Sequence, residues 1–148
     1  MRYNRRMAIR YWLGVVQRDH VLRGVAGGFA QVGHGARAPL AAMRGSDGFV
    51  FYSPRSSSPD GERLQQFTAV GRIADDEVYQ VASGDVRPWR RRVDWDRDAV
   101  AAPIRPLLRS LDFTRGRSDW GCQLRRGAIE LSRHDFELIR RQMRPEAG

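Results

Sequence analysis

The chain has 148 residues, of which 41% are hydrophobic and 29% charged, as is typical of one soluble globular domain. Every one of its 26 basic residues is arginine, and 17 acidic residues leave a formal charge of +9. The lack of lysine excludes Schiff-base chemistry, a lysine general base and a Walker-type phosphate loop. The lack of a long apolar run excludes a transmembrane helix.

The charge surplus favours a polyanionic partner, although solubility alone would also explain it. The replacement of all lysine by arginine indicates codon bias. The surplus of positive charge is therefore more informative about function than the choice of arginine. Cys122 has no disulfide partner, and His20, His34 and His134 follow no metal-ligand spacing. We therefore expect neither a metal nor another cofactor.

The first half of the chain predicts two strands around a glycine-rich loop. Residues 9–16 are rich in β-branched and aromatic residues, and 17–25 follow as a short helix. The arginine-rich start could mimic a secretion signal, but Arg10 interrupts its apolar part, and we expect a cytoplasmic protein. Between residues 24 and 35 glycine is too dense for regular structure. Residues 49–53 are apolar on both faces, which indicates a central strand.

The second half predicts two more strands and two helices. Strand 66–73 resumes at 78–81 after Asp75-Asp76-Glu77, which favours a solvated turn or bulge over a metal site, because successive carboxylates in a strand point to opposite sides. In residues 89–95 the tryptophans alternate with charged residues, which favours a charge-balanced surface over a nucleic-acid-binding run for Arg90-Arg91-Arg92. Residues 103–111 predict a helix. Residues 120–128 are ambiguous, with strand character at 122–124. The last element is a helix capped by Ser132, with Phe136, Ile139 and Met143 facing inward.

This order of elements predicts an α+β fold, namely a compact, mixed and mostly antiparallel β-barrel of five to six strands with peripheral helices. The glycine loop carries Phe29, Gln31 and His34 near the strand end at Ser53-Pro54-Arg55. Such a wall of rings and polar groups suits a planar ligand, most simply a nucleobase. The alternative is a surface Ω-loop closed on Phe29.

The same landmarks resemble the EVE domain family, a branch of the PUA-like barrels that includes YTH and ASCH domains. The resemblance spans residues 9–143, with 1–8 as an N-terminal extension and 144–148 as a tail. The matching stretches are Tyr11-Trp12-Leu13, Gly27-Gly28-Phe29-Ala30-Gln31, Gly45-Ser46-Asp47-Gly48, Val50 to Arg55, Phe67 to Arg72, Pro88 to Arg92, Pro103 to Leu107, Trp120-Gly121 and Ser132 to Ile139.

The resemblance implies a non-catalytic module that binds DNA or RNA and holds a flipped, modified base in an aromatic pocket. Many relatives carry tryptophan where Phe29 stands. Stacking roughly balances the cost of extruding a base, so hydrogen bonds to the base edge decide which base stays. The implied base pocket comprises Trp12, Gly28, Phe29, Ala30, Gln31, Tyr52, Ser53 and Arg55. The phosphate-contacting rim would comprise His34, Arg37, Arg44, Arg115 and Arg117.

Two alternatives remain open. The first is a small hydrolase or nuclease on the same barrel, with His34 or His20 as general base and an arginine stabilising charge. The second is an interaction protein whose pocket is vestigial.

Overall fold

A computed structural model describes residues 8–145. Its strands are β1 (Tyr11–Val15), β2 (Phe29–Ala30), β3 (Gly48–Arg55), β4 (Arg63–Gln80), β5 (Trp89–Trp95), β6 (Ala102–Pro103) and β7 (Ala128–Leu131). Its helices are α1 (Arg18–Gly27), α2 (Ala38–Ala41) and α3 (Arg133–Gln142), with short 3₁₀ turns at Arg105–Leu107 and Trp120–Arg125.

In the described part of the chain the seven strands form one sheet in the order β2-β5-β4-β3-β1-β7, with β6 paired to β4. β1 and β3 are parallel, and all the other pairs are antiparallel. The predicted mixed, mostly antiparallel sheet with few helices is therefore confirmed. The sheet is not closed, however, because the edge strands β2 and β7 do not pair with each other. It also has one strand more than the upper limit predicted.

The parallel pair fixes the geometry of one end of the sheet. Val15, the last residue of β1, is in register with Tyr52 of β3, and the backbone N–H of Val16 donates to the Tyr52 carbonyl at 3.1 Å. Because parallel strands run in the same direction, the carboxyl ends of β1 and β3 lie side by side.

Hydrophobic clusters cover both faces of the sheet, as the alternation of side chains along β3 requires. Val50 and Tyr52 belong to the cluster that packs against α3. Phe49 and Phe51 belong to the other cluster, with Trp12 and Trp95. β3 is thus buried on both faces, as predicted for a central strand.

Three predictions for the second half are confirmed. Strand β5 has the predicted bounds and alternates between buried and exposed residues. The register of β4 against β5 shifts between Ile73 and Val78, which places a bulge at the acidic triplet. Ser132 Oγ accepts a hydrogen bond from the backbone N–H of Asp135 at 3.1 Å and caps α3.

Two predictions are wrong. Residues 103–111 form only a 3₁₀ turn followed by irregular turns, because Pro103 ends β6 and the N–H groups of Leu107 and Ser110 bond to carbonyls three residues back rather than four. Their apolar stripe is nevertheless buried at Ile104, Leu107 and Leu111. Residues 122–124 also form a 3₁₀ turn rather than a strand; Cys122 is exposed while Leu124 is buried.

The side chain of Arg91 ties three segments together inside the protein. It is 1% exposed, and its guanidinium donates to the carbonyls of Leu40 at 2.9 Å, Met43 at 2.5 Å and Asp75 at 2.6 Å. It therefore fixes α2 and the β4 bulge against β5. The outward-facing Arg92 pairs with Asp75 at 3.2 Å, in agreement with the charge-balanced surface predicted for this strand.

The predicted extension at 1–8 and tail at 144–148 lie outside the described residues, except for Ala8, Arg144 and Pro145. None of the helices between residues 8 and 145 has the length and apolar character that crossing a bilayer would need.

Candidate functional site

A cleft of about 480 Å³ opens where β1 ends. Four segments line it: the end of β1 with the first turns of α1, the loop after β2, Ser58, and the residues just before β7. The lining residues are 15–17, 19, 20, 23, 31–34, 58 and 125–127.

Glycines allow the backbone to close around this cleft. Gly33, His34 and Gly35 all have positive φ, at 54°, 59° and 85°, so the chain turns sharply from β2 toward α2. Gly127 packs on this turn, since a Cβ built on it would lie 3.0 Å from the Cα of Gly33. The loop after β2 and the residues before β7 therefore form two walls of the cleft. A side chain at position 127 would push these walls apart.

Gln31 projects from the first wall and is fixed by Arg90. Arg90 Nε donates to Gln31 Oε1 at 3.1 Å, and the same guanidinium lies 3.8 Å from the ring centroid of Phe29. One arginine thus covers the Phe29 ring and orients the Gln31 amide.

Gln17 occupies the opposite side, immediately after β1. Its Oε1 accepts a hydrogen bond at 2.9 Å from the backbone N–H of Arg55, at the end of β3. The contact joins the two neighbouring strand ends across the rim of the cleft.

His20 and Arg23 lie on successive turns of α1. Arg23 Nη2 donates to His20 Nδ1 at 3.1 Å. Burial lowers the pKa of His20, and the Arg23 guanidinium lowers it further. The imidazole is therefore neutral at physiological pH.

Arginine dominates the charge of the cleft. Among the residues that the structure describes, Arg23, Arg125 and Arg126 line it together with a single carboxylate, that of Asp19. The cleft is thus net positive and bears the hydrogen-bonding groups of two glutamines and two histidines.

A family model described as EVE domain matches residues 10–142. A UPF0310 protein of Mycolicibacterium gilvum is 49% identical over 133 residues, covering 89% of this chain and 94% of its own. The UPF0310 protein YdcG of Bacillus subtilis is 39% identical over 139 residues, covering 93% of this chain and 94% of its own. The chain belongs to the EVE domain family.

The EVE domain also resembles solved structures in its fold. The NMR structure of Rpa0253 from Rhodopseudomonas palustris superposes with a TM-score of 0.54 at 18% identity, covering 91% of this chain and 93% of that chain. The crystal structure of Atu2648 from Agrobacterium tumefaciens gives 0.51 at 13% identity, covering 93% and 99%. The family resemblance identified from the sequence motifs is confirmed.

In this EVE domain the predicted base-pocket residues do not converge on one cavity. Tyr52 is 3% exposed and packs edge-on against Phe67 in the core. Ser53 is fully buried, with its hydroxyl 2.8 Å from that of Thr68. Trp12 belongs to the opposite cluster and donates from Nε1 to Asp47 at 2.9 Å. The structure therefore places these three side chains in the hydrophobic interior.

The other predicted pocket residues surround the glycine loop. Gly28 ends α1 with a φ of 73°, and Ala30 is buried. Phe29 is partly exposed beneath Arg90, while exposed Arg55 donates to the Gly61 carbonyl at 3.0 Å. Of the eight residues predicted to form the base pocket, Gln31 alone lines the cleft.

The predicted phosphate rim is likewise divided. His34 lines the cleft, whereas Arg37 lies over the Trp89 ring and Arg115 pairs with Asp112 at 3.2 Å. Arg44 and Arg117 are exposed away from the cleft.

Sequence reasoning missed the cleft residues Gln17, Arg23, Arg125 and Arg126. The useful signal was Arg125-Arg126-Gly127 just ahead of β7. Because β7 is antiparallel to β1, its start lies beside the end of β1, and the N–H of Val15 donates to the Gly127 carbonyl. Because the sequence analysis predicts no strand at 128–131, it does not place Arg125 and Arg126 beside the end of β1.

One cluster of potential metal ligands, Asp112, His134 and Asp135, lies elsewhere in the described region. Asp135 accepts the backbone N–H groups of Asp112 and Phe113, and Asp112 accepts from Ser132 Oγ. His134 Nε2 meets the Ser110 carbonyl at 2.9 Å. These hydrogen bonds hold the loop after residue 110 against the start of α3, which explains why the three side chains lie together.

Proposed function

We propose that this EVE domain is a nucleic-acid-binding module that accepts one extruded base in the cleft at the end of β1 without chemically changing it. The single observation that carries the proposal is the cleft itself. Its volume of about 480 Å³ is within the usual range of small-ligand pockets, and three arginines stand around it. Membership of the EVE family and the overall charge of +9 agree with a nucleic-acid partner.

The base would bind differently from the sequence-based expectation. No Phe, Tyr or Trp lines the cleft in the described residues, so the flat groups available for stacking are the rings of His20 and His34. Histidine is among the side chains that stack on unpaired bases. The exposed Arg125 and Arg126 would contact the phosphates on either side of the base, because arginine binds phosphate through two parallel N–H groups.

The test is a fluorescence-anisotropy titration of labelled single-stranded DNA and RNA of the same sequence at several salt concentrations. Replacing both Arg125 and Arg126 with Gln should weaken binding and reduce the magnitude of the slope of log K against log salt by about 1.4, at about 0.7 for each phosphate contact with a single strand. The matched control replaces Arg97 and Arg109, which are exposed outside the cleft, with Gln and makes the same change in charge.

If both double variants lose affinity equally, the nucleic acid binds diffusely and the cleft is not the site. If the wild-type protein binds no oligonucleotide at physiological salt, the proposal fails altogether.

The hydrolase remains the alternative function because His20 and His34 both line the cleft. Since His20 Nδ1 already accepts from Arg23, His34 is the candidate general base. Incubation with RNA, DNA and modified nucleosides, followed by chromatography, tests it. A product whose formation is abolished by His34→Ala would replace the binding module with an enzyme.

A further inference from the structure

The orientation of both cleft glutamines is fixed by partners that only donate hydrogen bonds. Arg90 has no acceptor atom, so the Gln31 atom that it contacts must be Oε1. A backbone N–H is also only a donor, so the Gln17 atom facing Arg55 must be Oε1 as well. Both glutamines line the cleft with their oxygens engaged, and within residues 8–145 neither NH₂ group makes a hydrogen bond with the protein, so both are available to a ligand.

His20 and the arginines of the cleft repeat this polarity, whereas His34 and Ser58 are able both to donate and to accept. Because Arg23 donates to His20 Nδ1, the proton of the neutral imidazole is on Nε2, which makes that atom a donor. The cleft arginines have donors only. Within residues 8–145, Asp19 is the one carboxylate on the lining, and its Oδ1 already accepts the backbone N–H of His20 at 2.7 Å.

This excess of donors makes a prediction about the ligand. A carbonyl oxygen on a base accepts from an amide NH₂, whereas an exocyclic amino group would place donor against donor. Leaving polar groups of a binding site unpaired is the most effective way to reject a close analogue.

Resting on the proposed function, we infer that the cleft selects bases whose edge carries carbonyl oxygens over bases that carry an amino group at the same position. Gln17 and Gln31 donate to the carbonyl oxygens. Asp19 accepts the ring N–H that accompanies them in a pyrimidine dione. Gln17 and Gln31 are thus specificity-determining residues.

Glutamate substitutions test this reading with little change in shape. Gln31→Glu keeps an oxygen for Arg90, and Gln17→Glu keeps one for the Arg55 N–H, while both turn the cleft-facing donor into an acceptor. The control is Gln65→Glu. Gln65 also accepts from an arginine, Arg105 Nε at 2.7 Å, but it does not line the cleft.

The experiment measures the affinity of single-stranded oligonucleotides that differ at one central base. Thymine is compared with 5-methylcytosine, and hypoxanthine with adenine, since each pair exchanges a carbonyl for an amino group in a ring of the same shape. Single strands avoid differences in the cost of extrusion from a duplex.

Wild-type protein should bind the carbonyl-bearing member of each pair about five- to a hundredfold more tightly. Gln31→Glu and Gln17→Glu should reduce that ratio to about one or invert it, and Gln65→Glu should retain it. Thermal unfolding of each variant checks that the fold is intact.

The inference would be overturned if thymine bound as tightly as 5-methylcytosine and hypoxanthine as tightly as adenine. It would also be overturned if the preference survived in both cleft variants. In that case, binding that still depends on Arg125 and Arg126 leaves the proposed function standing. Absence of all oligonucleotide binding overturns both.

Discussion

β1 and β3 end side by side at the same edge of the sheet, yet one end is closed and the other is open. Near the end of β3, Tyr52 packs in a hydrophobic cluster and the Ser53 hydroxyl contacts that of Thr68. Both residues are buried. At the end of β1, the chain turns into α1 and leaves Gln17 beside a glycine turn and two arginines. Rings and polar atoms occur in both places, but only the second place leaves them accessible to a ligand.

The comparison teaches that residue type does not distinguish a binding wall from a packed interior. A tyrosine followed by serine suits either one. What distinguishes them is the neighbouring element: Phe67 of β4 covers Tyr52, whereas Gln17 and Gln31 line the cleft beside the packed glycines at 33 and 127.

The largest effect is expected at the closed end. Tyr52→Ala should lower the free energy of unfolding by about 3–5 kcal/mol, because it leaves a cavity beside Phe67. Gln17→Ala at the open end should cost about 1 kcal/mol and mainly weaken base selection. Urea unfolding followed by tryptophan fluorescence measures the first effect and anisotropy the second. A Tyr52→Phe variant that folds normally but no longer binds nucleic acid would return the site to β3.

The same contrast applies to buried and exposed arginine. Arg91→Met removes the donor for three backbone carbonyls and should cost about 3–5 kcal/mol. Arg126→Met removes an exposed charge and should change stability by less than about 0.5 kcal/mol while weakening oligonucleotide binding. Chemical unfolding and anisotropy on both variants check the pair. A stability loss at position 126 as large as that at 91 would contradict this division.

The dependence of stability on alkaline pH tests whether the Tyr52 phenol is buried. Burial raises the pKa of Tyr52 to about 12, against about 10 for an exposed tyrosine. The folded protein keeps the Tyr52 proton to a higher pH than the unfolded chain does. The contribution of the protonated phenol to the free energy of unfolding is therefore complete below pH 10 and is lost as the pH rises toward 12. The loss is at most about 2–3 kcal/mol. Unfolding curves of wild type and Tyr52→Phe should separate over this window; parallel curves would mean that the phenol is exposed.

A smaller stability effect than at Tyr52 or Arg91 is expected for Arg90. Arg90→Met removes a cation–π contact and a hydrogen bond and should cost about 1 kcal/mol. It also releases the Gln31 amide, so the preference for carbonyl-bearing bases should fall. Arg92→Met is the matched control on the same face of β5, because Arg92 also covers a ring, that of Tyr79, and pairs with Asp75. Equal base preference in the two variants would show that Arg90 does not position Gln31.

Much of the fold followed from local patterns. The alternation in residues 89–95 predicted β5 with its correct bounds, because a strand with one buried face needs period-two hydrophobicity. The cap at Ser132 predicted the start of α3, because the first N–H groups of a helix need an acceptor. The helix expected at 103–111 does not form, because an apolar spacing of three and four is satisfied equally by a 3₁₀ turn and irregular turns that bury Ile104, Leu107 and Leu111.

The candidate site was only partly predictable. The glycine-rich loop was recognised, and with it Gln31 and His34, because a dense run of glycine marks a backbone that turns sharply and approaches a ligand closely. Arg125 and Arg126 were not placed, since they reach the cleft only through the pairing of β7 with β1, more than a hundred residues apart in the chain.

By itself, then, the sequence determined the family, the mixed sheet, the positive charge and the glycine loop, all of which depend on residue types at short range along the chain. The tertiary structure alone decided that Tyr52 and Trp12 belong to two different core clusters and that the cleft lies one strand away. The physical reason is that burial and accessibility depend on which distant element covers a side chain, and a residue's own neighbours in the chain do not specify that element.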